Sequence, residues 1–289
     1  MKLKAFIDIY ATDALNEIQL SGNFDEMKKY ELKDELKQLY YLDADFLSIL
    51  IAKCKNLETI SFEYFNLNEL NITMFLFKHL KRMTFKWCSF DLLINANLSM
   101  TSMKTVHTLN LIRVLTPIKK NDVELISRLM PNLINLSINE AKSSFNDDCI
   151  KQMLNLFKLE RLELINTQIS DAAIIELSNS VYLKMNLKHL NLSMSSKLTN
   201  VCLELIGTNF CELNSLVLTS CFGFTNICPL ENLIKLKYLN VNNTSIDKKF
   251  ILNFIQNVSA CEVEYNHEKI LNRKNNWTIN GSKNCVCSF

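Results

Sequence analysis

The 289 residues are 48% hydrophobic and 21% charged, with 17 phenylalanines and a mean hydropathy of +0.04; this composition excludes a disordered chain and predicts a folded core. Basic and acidic residues nearly balance, 32 against 30, for a net charge of +2. No global field therefore draws the chain to nucleic acid or to an anionic membrane, and neither is expected as a partner. No run approaches the roughly 18 apolar residues of a membrane span. Asp8, Asp13 and Glu17 interrupt the first segment, so no secretory leader is read there and the expected location is cytoplasmic or nuclear.

In chain order, residues 1–56 carry two weak units of one apolar spacing, Leu15/Ile18/Leu20 and Leu36/Leu39/Tyr41, and are read as an N-terminal cap with two degenerate repeats. From Leu57 the pattern L-x-x-L-x-L becomes regular: Leu57/Ile60/Phe62, Leu80/Met83/Phe85, Val106/Leu109/Leu111, Leu133/Leu136/Ile138, Leu159/Leu162/Leu164, Leu187/Leu190/Leu192, Leu213/Leu216/Leu218 and Leu236/Leu239/Val241. First positions lie 23 to 28 residues apart, centred on 26. Residues 57–258 are thus the main array of about eight units. A degenerate unit follows around Val263/Tyr265, and residues 259–289, rich in Asn and Lys from His267 on, are read as a C-terminal cap and mobile tail.

Within each unit the apolar period lengthens from two to about 3.6, the sign of a strand followed by a helix. The segment Asp122–Met130 is expected to be a helix capped by Asn121 and stopped by Pro131; another is expected from Ser170 to Leu177. Further helical segments run from Asn146 to Phe157, Thr199 to Ile206 and Asp247 to Val258. A set of amphipathic helices would also place leucines at i and i+3. It fails because the third apolar residue sits two beyond the second and because Thr, Ser and Ile crowd the strand slots. The expected fold class is therefore α/β, a leucine-rich-repeat solenoid: a right-handed horseshoe with a parallel sheet on the concave face and helices on the convex face.

Cys54-Lys55-Asn56-Leu57, Leu80 to Cys88 and Leu213 to Cys221 resemble the unit C-x-x-L-x-x-L-x-L-x-x-C of the cysteine-containing leucine-rich repeats found in F-box/LRR proteins, and Ile169-Ser170-Asp171, Leu198-Thr199-Asn200 and Ile246-Asp247 resemble its helix start. The resemblance covers roughly residues 54–258. At the ninth position Phe65, Val114, Ala141, Thr167, Ser195 and Thr244 replace the cysteine. The resemblance implies a protein-binding module, the substrate-recognition part of an SCF-type ubiquitin ligase with a ligase adaptor as partner, although no F-box is visible in residues 1–53. The alternative is a stand-alone scaffold regulating a small GTPase or another enzyme; that class carries Asn at the ninth position, so Cys, Thr and Ser there speak against it.

Chemistry of other kinds finds no constellation. The four histidines, His79, His107, His189 and His267, sit in no catalytic or metal-binding spacing, and glycines 22, 207, 223 and 281 build no phosphate loop. The ten cysteines lack paired C-x-x-C spacing and are read as reduced, buried thiols. Sequon-like triplets at Asn135 and Asn191 fall inside expected strands and are read as by-products of composition. No enzyme, cofactor or metal is expected. One basic cluster, Lys78, Lys81, Arg82 and Lys86 beside Phe85 and Trp87, reads as a solvated strand edge. The expected contact surface for a protein partner is the concave sheet. Its outward columns are Ser61, Thr84, Asn110, Ser137, Glu163, Asn191, Val217 and Asn240, then Glu63, Lys86, Ile112, Asn139, Ile165, Ser193, Thr219 and Asn242. From these, Glu63, Thr84, Lys86, Asn110, Ile112, Asn139, Glu163, Ile165, Asn191 and Asn240 are the candidate contacts, with Ile112 and Ile165 as apolar anchors.

Overall fold

Period-two alternation puts every second side chain of a strand on one face, and the structure builds its strands where that alternation occurs. The computed structural model describes residues 17–21, 40–41, 52–67, 78–89, 103–141, 144–258, 260–273 and 276–280. The chain packs as two compact units, Met1–Ala141 and Lys142–Phe289.

In the first unit, β1 (Glu17–Ser21), β3 (Thr59–Glu63), β5 (Arg82–Lys86), β6 (Thr108–Ile112) and β7 (Asn135–Asn139) form a parallel sheet in that order. The register joins Ile18, Ile60, Met83, Leu109 and Leu136, so equivalent repeat positions lie side by side. The weak unit at Leu36/Leu39/Tyr41 adds no strand to this sheet, because β1 pairs directly with β3. Instead β2 (Tyr40–Tyr41) pairs with β4 (Phe65–Asn66), just past the main strand, in a separate two-stranded ribbon. Leu36 and Leu39 lie outside the described residues.

In the second unit, β8 (Arg161–Glu163), β9 (His189–Asn191), β10 (Ser215–Val217), β11 (Tyr238–Asn240) and β12 (Glu262–Tyr265) form a parallel sheet in that order, with Leu162, Leu190, Leu216, Leu239 and Val263 in register. The degenerate unit at Val263 is thus a strand of the array. Beyond it β13 (Glu268–Arg273) and β14 (Asn276–Asn280) run antiparallel where the sequence showed only the loss of the repeat. The turn into β13 has Asn266 and His267 at φ of 50° and 64°, the two successive left-handed residues that match a tight hairpin to the strand twist.

All the apolar residues of the eight triplets are buried, none more than 5% exposed. Each unit alone would leave one flank of its leucines in water, so stacking supplies the core. The polypeptide between strands closes that core with helices at Lys120–Leu129, Asp171–Asn179, Asn200–Asn209 and Lys248–Asn257. Ser170, Thr199 and Asp247 cap the last three, and the preceding Ile169, Leu198 and Ile246 are buried, as the motif requires. The first differs from the sequence expectation: its cap is Lys119 rather than Asn121, and the carboxylate of Asp122, the third helical residue, reaches back to accept the Lys119 N–H at 2.7 Å. Asn146 caps only one α turn, Asp147–Ile150, which tightens into a 3-10 turn at Lys151–Asn155.

Three devices tie repeat to repeat. The first helical residue grips the next cap: Asp147 accepts from the amide and hydroxyl of Ser170 at 2.7 and 2.6 Å, and Asp171 does the same for Thr199 at 3.0 and 2.6 Å. Asn200 holds Thr225 of the next repeat similarly, accepting from its amide at 3.0 Å and donating to its hydroxyl at 2.8 Å. The eighth residue of every main unit, from Tyr64 to Asn243, is left-handed, and none is glycine. Among them Tyr64, Trp87, Arg113, Asn166, Met194 and Ser220 donate their N–H to the seventh-position carbonyl of the following repeat. At the ninth position Cys88, Ser195 and Cys221 reach the sixth-position carbonyl of the preceding repeat, at 3.4, 3.5 and 3.2 Å, whereas Thr167 and Thr244 turn to their own. Cysteine and serine are therefore interchangeable as donors in this slot.

No disulfide joins the described cysteines; Cys54, Cys88, Cys149, Cys202, Cys221 and Cys261 are buried and Cys211 is exposed. Close packing also explains Gly207: a Cβ there would meet the Pro229 carbonyl oxygen at 2.0 Å.

Candidate functional site

The strand face opposite the leucines carries the candidate contacts, which form short polar pairs and clusters within each unit. In Met1–Ala141, Glu63 pairs with Lys86 at 2.7 Å, and Asn110 donates to Thr84 at 3.1 Å. Asn139 donates to Ser137 at 2.8 Å. Ile112 stands between Lys86 and Asn139 in the register, half-buried rather than protruding. In the basic cluster Lys78, Lys81 and Arg82 are exposed, Lys81 pairs with Glu58 at 2.6 Å, Lys86 pairs with Glu63, and Phe85 lies in the core.

In Lys142–Phe289, Glu163, Asn191, Val217, Asn240 and Glu264 lie side by side across five strands. Glu163 takes a hydrogen bond from Arg161 and stands 3.5 Å from His189, whose other ring nitrogen lies 2.9 Å from Ser215. Asn191 accepts from the Ser193 amide and hydroxyl at 3.1 and 2.6 Å. Asn240 is the hub of the last strands: it donates to Glu264 at 2.6 Å and to the Tyr238 hydroxyl at 3.1 Å, and accepts from Thr219 at 2.9 Å. Lys269 closes the network on Glu262 at 2.7 Å, a hydrogen bond that holds the ammonium above its usual pKa. Burial raises the Tyr238 phenol likewise. Ile165 is half-buried, and Val217 is a third apolar side chain on this face.

Sequence reasoning missed the third-position column. Arg82, Thr108, Asn135, Arg161, His189, Ser215 and Tyr238 share the outward face; Arg161, His189 and Tyr238 meet the fifth-position Glu163 and Asn240, whereas Asn135 donates to Thr108 at 3.0 Å within the column. Extending the alternation one step towards the N-terminus of each strand would have found it. Also missed was the eighth-position rim of the first unit. There Tyr64 stacks with Trp87 (centroids 6.2 Å apart, planes at 14°), Arg113 lies 4.8 Å from the Trp87 centroid, and Arg113 pairs with Glu140 at 2.6 Å. The stacked neighbours are 23 to 27 residues apart in sequence and meet only because the repeats do.

Among the described residues no group of His, Cys, Asp or Glu side chains gathers as a metal ion would require, and none of their helices is long and apolar enough to cross a membrane. The face consists of paired charges and mutually satisfied amides and hydroxyls, chemistry suited to complementing another polar surface.

This architecture is a leucine-rich-repeat fold. It is similar to that of internalin C2 from Listeria monocytogenes, with a TM-score of 0.51 at 16% identity over 78% of this chain and 84% of that one. Internalin F from the same organism aligns over 91% of this chain and 86% of its own, at 14% identity and a TM-score of 0.41. No protein-family model and no curated protein matches the sequence.

Proposed function

We propose that the chain is a protein-binding leucine-rich-repeat module whose contact surface is the polar strand face opposite the core. The observation that carries this reading is the pre-paired state of that face: Glu63–Lys86, Thr84–Asn110 and the Asn240 hub are held before any partner arrives. Side chains already ordered lose little freedom on association, so more of the interaction energy appears as affinity. Ile112, Ile165 and Val217, set among polar neighbours, supply the apolar contacts around which such interfaces form. The ninth-position rung shared by Cys88, Ser195 and Cys221 supports the narrower reading, substrate recognition in an SCF-type ubiquitin ligase of the cytoplasm or nucleus.

A photo-crosslinking amino acid placed singly at Ile112, Asn191 or Val217, and at Glu204 on a helix as control, tests the surface in cells. Adducts from the strand positions and none from Glu204 are expected; equal adducts from both, or none from the strands, would sink the assignment. Direct binding of the purified chain to a purified ligase adaptor tests the narrower reading, and absence of binding removes the ligase while leaving the face intact.

A further inference from the structure

The loop edge of the second unit does not behave as the rest of the array does. The residue two before the first leucine of each repeat sits on one edge, where the chain turns from helix into strand. In the first unit this slot holds Lys55, Lys78 and Lys104, all exposed, and a half-buried Pro131. In the second it holds Phe157, Met185, Cys211 and Ile234 in consecutive repeats, with Met185 66% and Ile234 81% exposed. The repeat itself does not demand apolar residues there, as the lysines show, so this row has no structural cause within the fold. Phe157 is held rather than loose: its ring lies 4.8 Å from that of Tyr182, and Asn186 donates to its carbonyl at 2.7 Å. Between Met185 and Cys211 the edge dips into a hollow lined by Lys184, Thr208, Asn209 and Glu212.

Charge identifies the occupant. The two carboxylates along this edge are engaged, Glu160 by Lys188 at 2.9 Å and Glu212 by Lys235 at 2.6 Å. Lys158, Lys184 and Lys237 have no carboxylate partner among the described residues. Apolar anchors flanked by unpaired lysines match a segment that alternates apolar and acidic side chains. A second copy of this chain would set lysines against lysines, and a lipid surface presents no protruding side chain to fill the hollow. We propose that Phe157, Tyr182, Met185 and Ile234 form a second docking surface, distinct from the strand face, that takes an acidic polypeptide segment with apolar anchor residues.

Fluorescence anisotropy of the full chain with a short labelled peptide of alternating glutamate with leucine or phenylalanine tests this. Two control peptides replace glutamate by lysine or the apolar residues by serine. The acidic apolar peptide should bind at least about tenfold more tightly than either control. Met185→Glu and Ile234→Glu should weaken it by a comparable factor, while Asn191→Arg on the strand face leaves it unchanged. Lys184→Glu combined with Lys237→Glu should reverse the preference towards the lysine peptide. Equal binding of the three peptides, or indifference to the edge substitutions, would overturn the proposal. So would edge-dependent binding to phosphatidylserine vesicles without peptide binding, or edge-dependent dimers in sedimentation. Because Asn191→Arg reports on the strand face alone, failure here leaves the function proposed above untouched.

Discussion

Eight non-glycine residues adopt the left-handed conformation at one repeat position, and each bears the steric cost that L-residues carry there. The cost is accepted because this turn aims the amide at the next repeat's carbonyl, as Met194 does to Thr219 at 2.9 Å. Met194, with φ of 61° and a half-exposed side chain, isolates the effect. Replacing it with glycine relieves the strain, offset in part by the greater freedom of the unfolded chain, and should stabilise the protein by about 0.5–1 kcal/mol in urea unfolding. Met194→Val, β-branched in the same conformation, should cost about 1 kcal/mol or more. Opposite signs for the two substitutions are the expected signature; equal destabilisation would mean that the Met194 side chain matters more than its backbone. Nothing in the residue types at this position, which run from Trp87 to Ser220, announces a shared conformation, so the sequence did not show it.

At the scale of the element, the helix starts were legible and their links were not. A Ser, Thr or Asp after a core Ile or Leu marks the caps at Ser170, Thr199 and Asp247, since the acceptor must sit next to the amides it satisfies. That Asp171 also holds the amide and hydroxyl of Thr199, 28 residues later, follows only from stacking. Asp171→Ala removes both hydrogen bonds to a partly exposed carboxylate and should lower stability by about 1–2 kcal/mol, read as a reduced thermal midpoint. Asp171→Asn keeps an acceptor for the Thr199 amide and should lose roughly half as much. An equal loss in both would place the effect in charge at the helix start instead.

Across the whole molecule the buried thiols couple stability to pH. Burial pushes Cys88 and Cys221 up to about 11 and Cys261 up to about 12, against roughly 8.5 for a thiol in an unfolded chain. Above that lower value the unfolded chain has released protons that the folded chain retains, so the unfolded state binds fewer protons and stability falls as pH rises. The loss should begin near about pH 8.5 and continue to about 11–12, with no contribution from these groups below it. Urea midpoints measured across that window should decline, and the double variant Cys88→Ala, Cys221→Ala should decline less steeply. Identical slopes would assign the alkaline loss to other groups.

The sequence by itself determined the repeat, its phase, the strands within it and the leucines that form the core. Those features are local: an apolar residue every second position must face away from water, and a spacing near 26 brings equivalent strands together. The outward columns followed from the same alternation, and Glu63, Asn110, Asn191 and Asn240 do share one face of their strands. Only the tertiary structure decided what those side chains do there, because pairs such as Glu63–Lys86 and Asn240–Glu264 join residues a full repeat apart. It also decided that Tyr40–Tyr41 pairs beside the main sheet although the weak spacing Leu36/Leu39/Tyr41 runs through it, and that β13 and β14 turn back antiparallel where that spacing is lost. The apolar edge at Phe157, Met185 and Ile234 belongs to the same class: in sequence these are isolated residues outside the motif, and stacking alone aligns them into a surface.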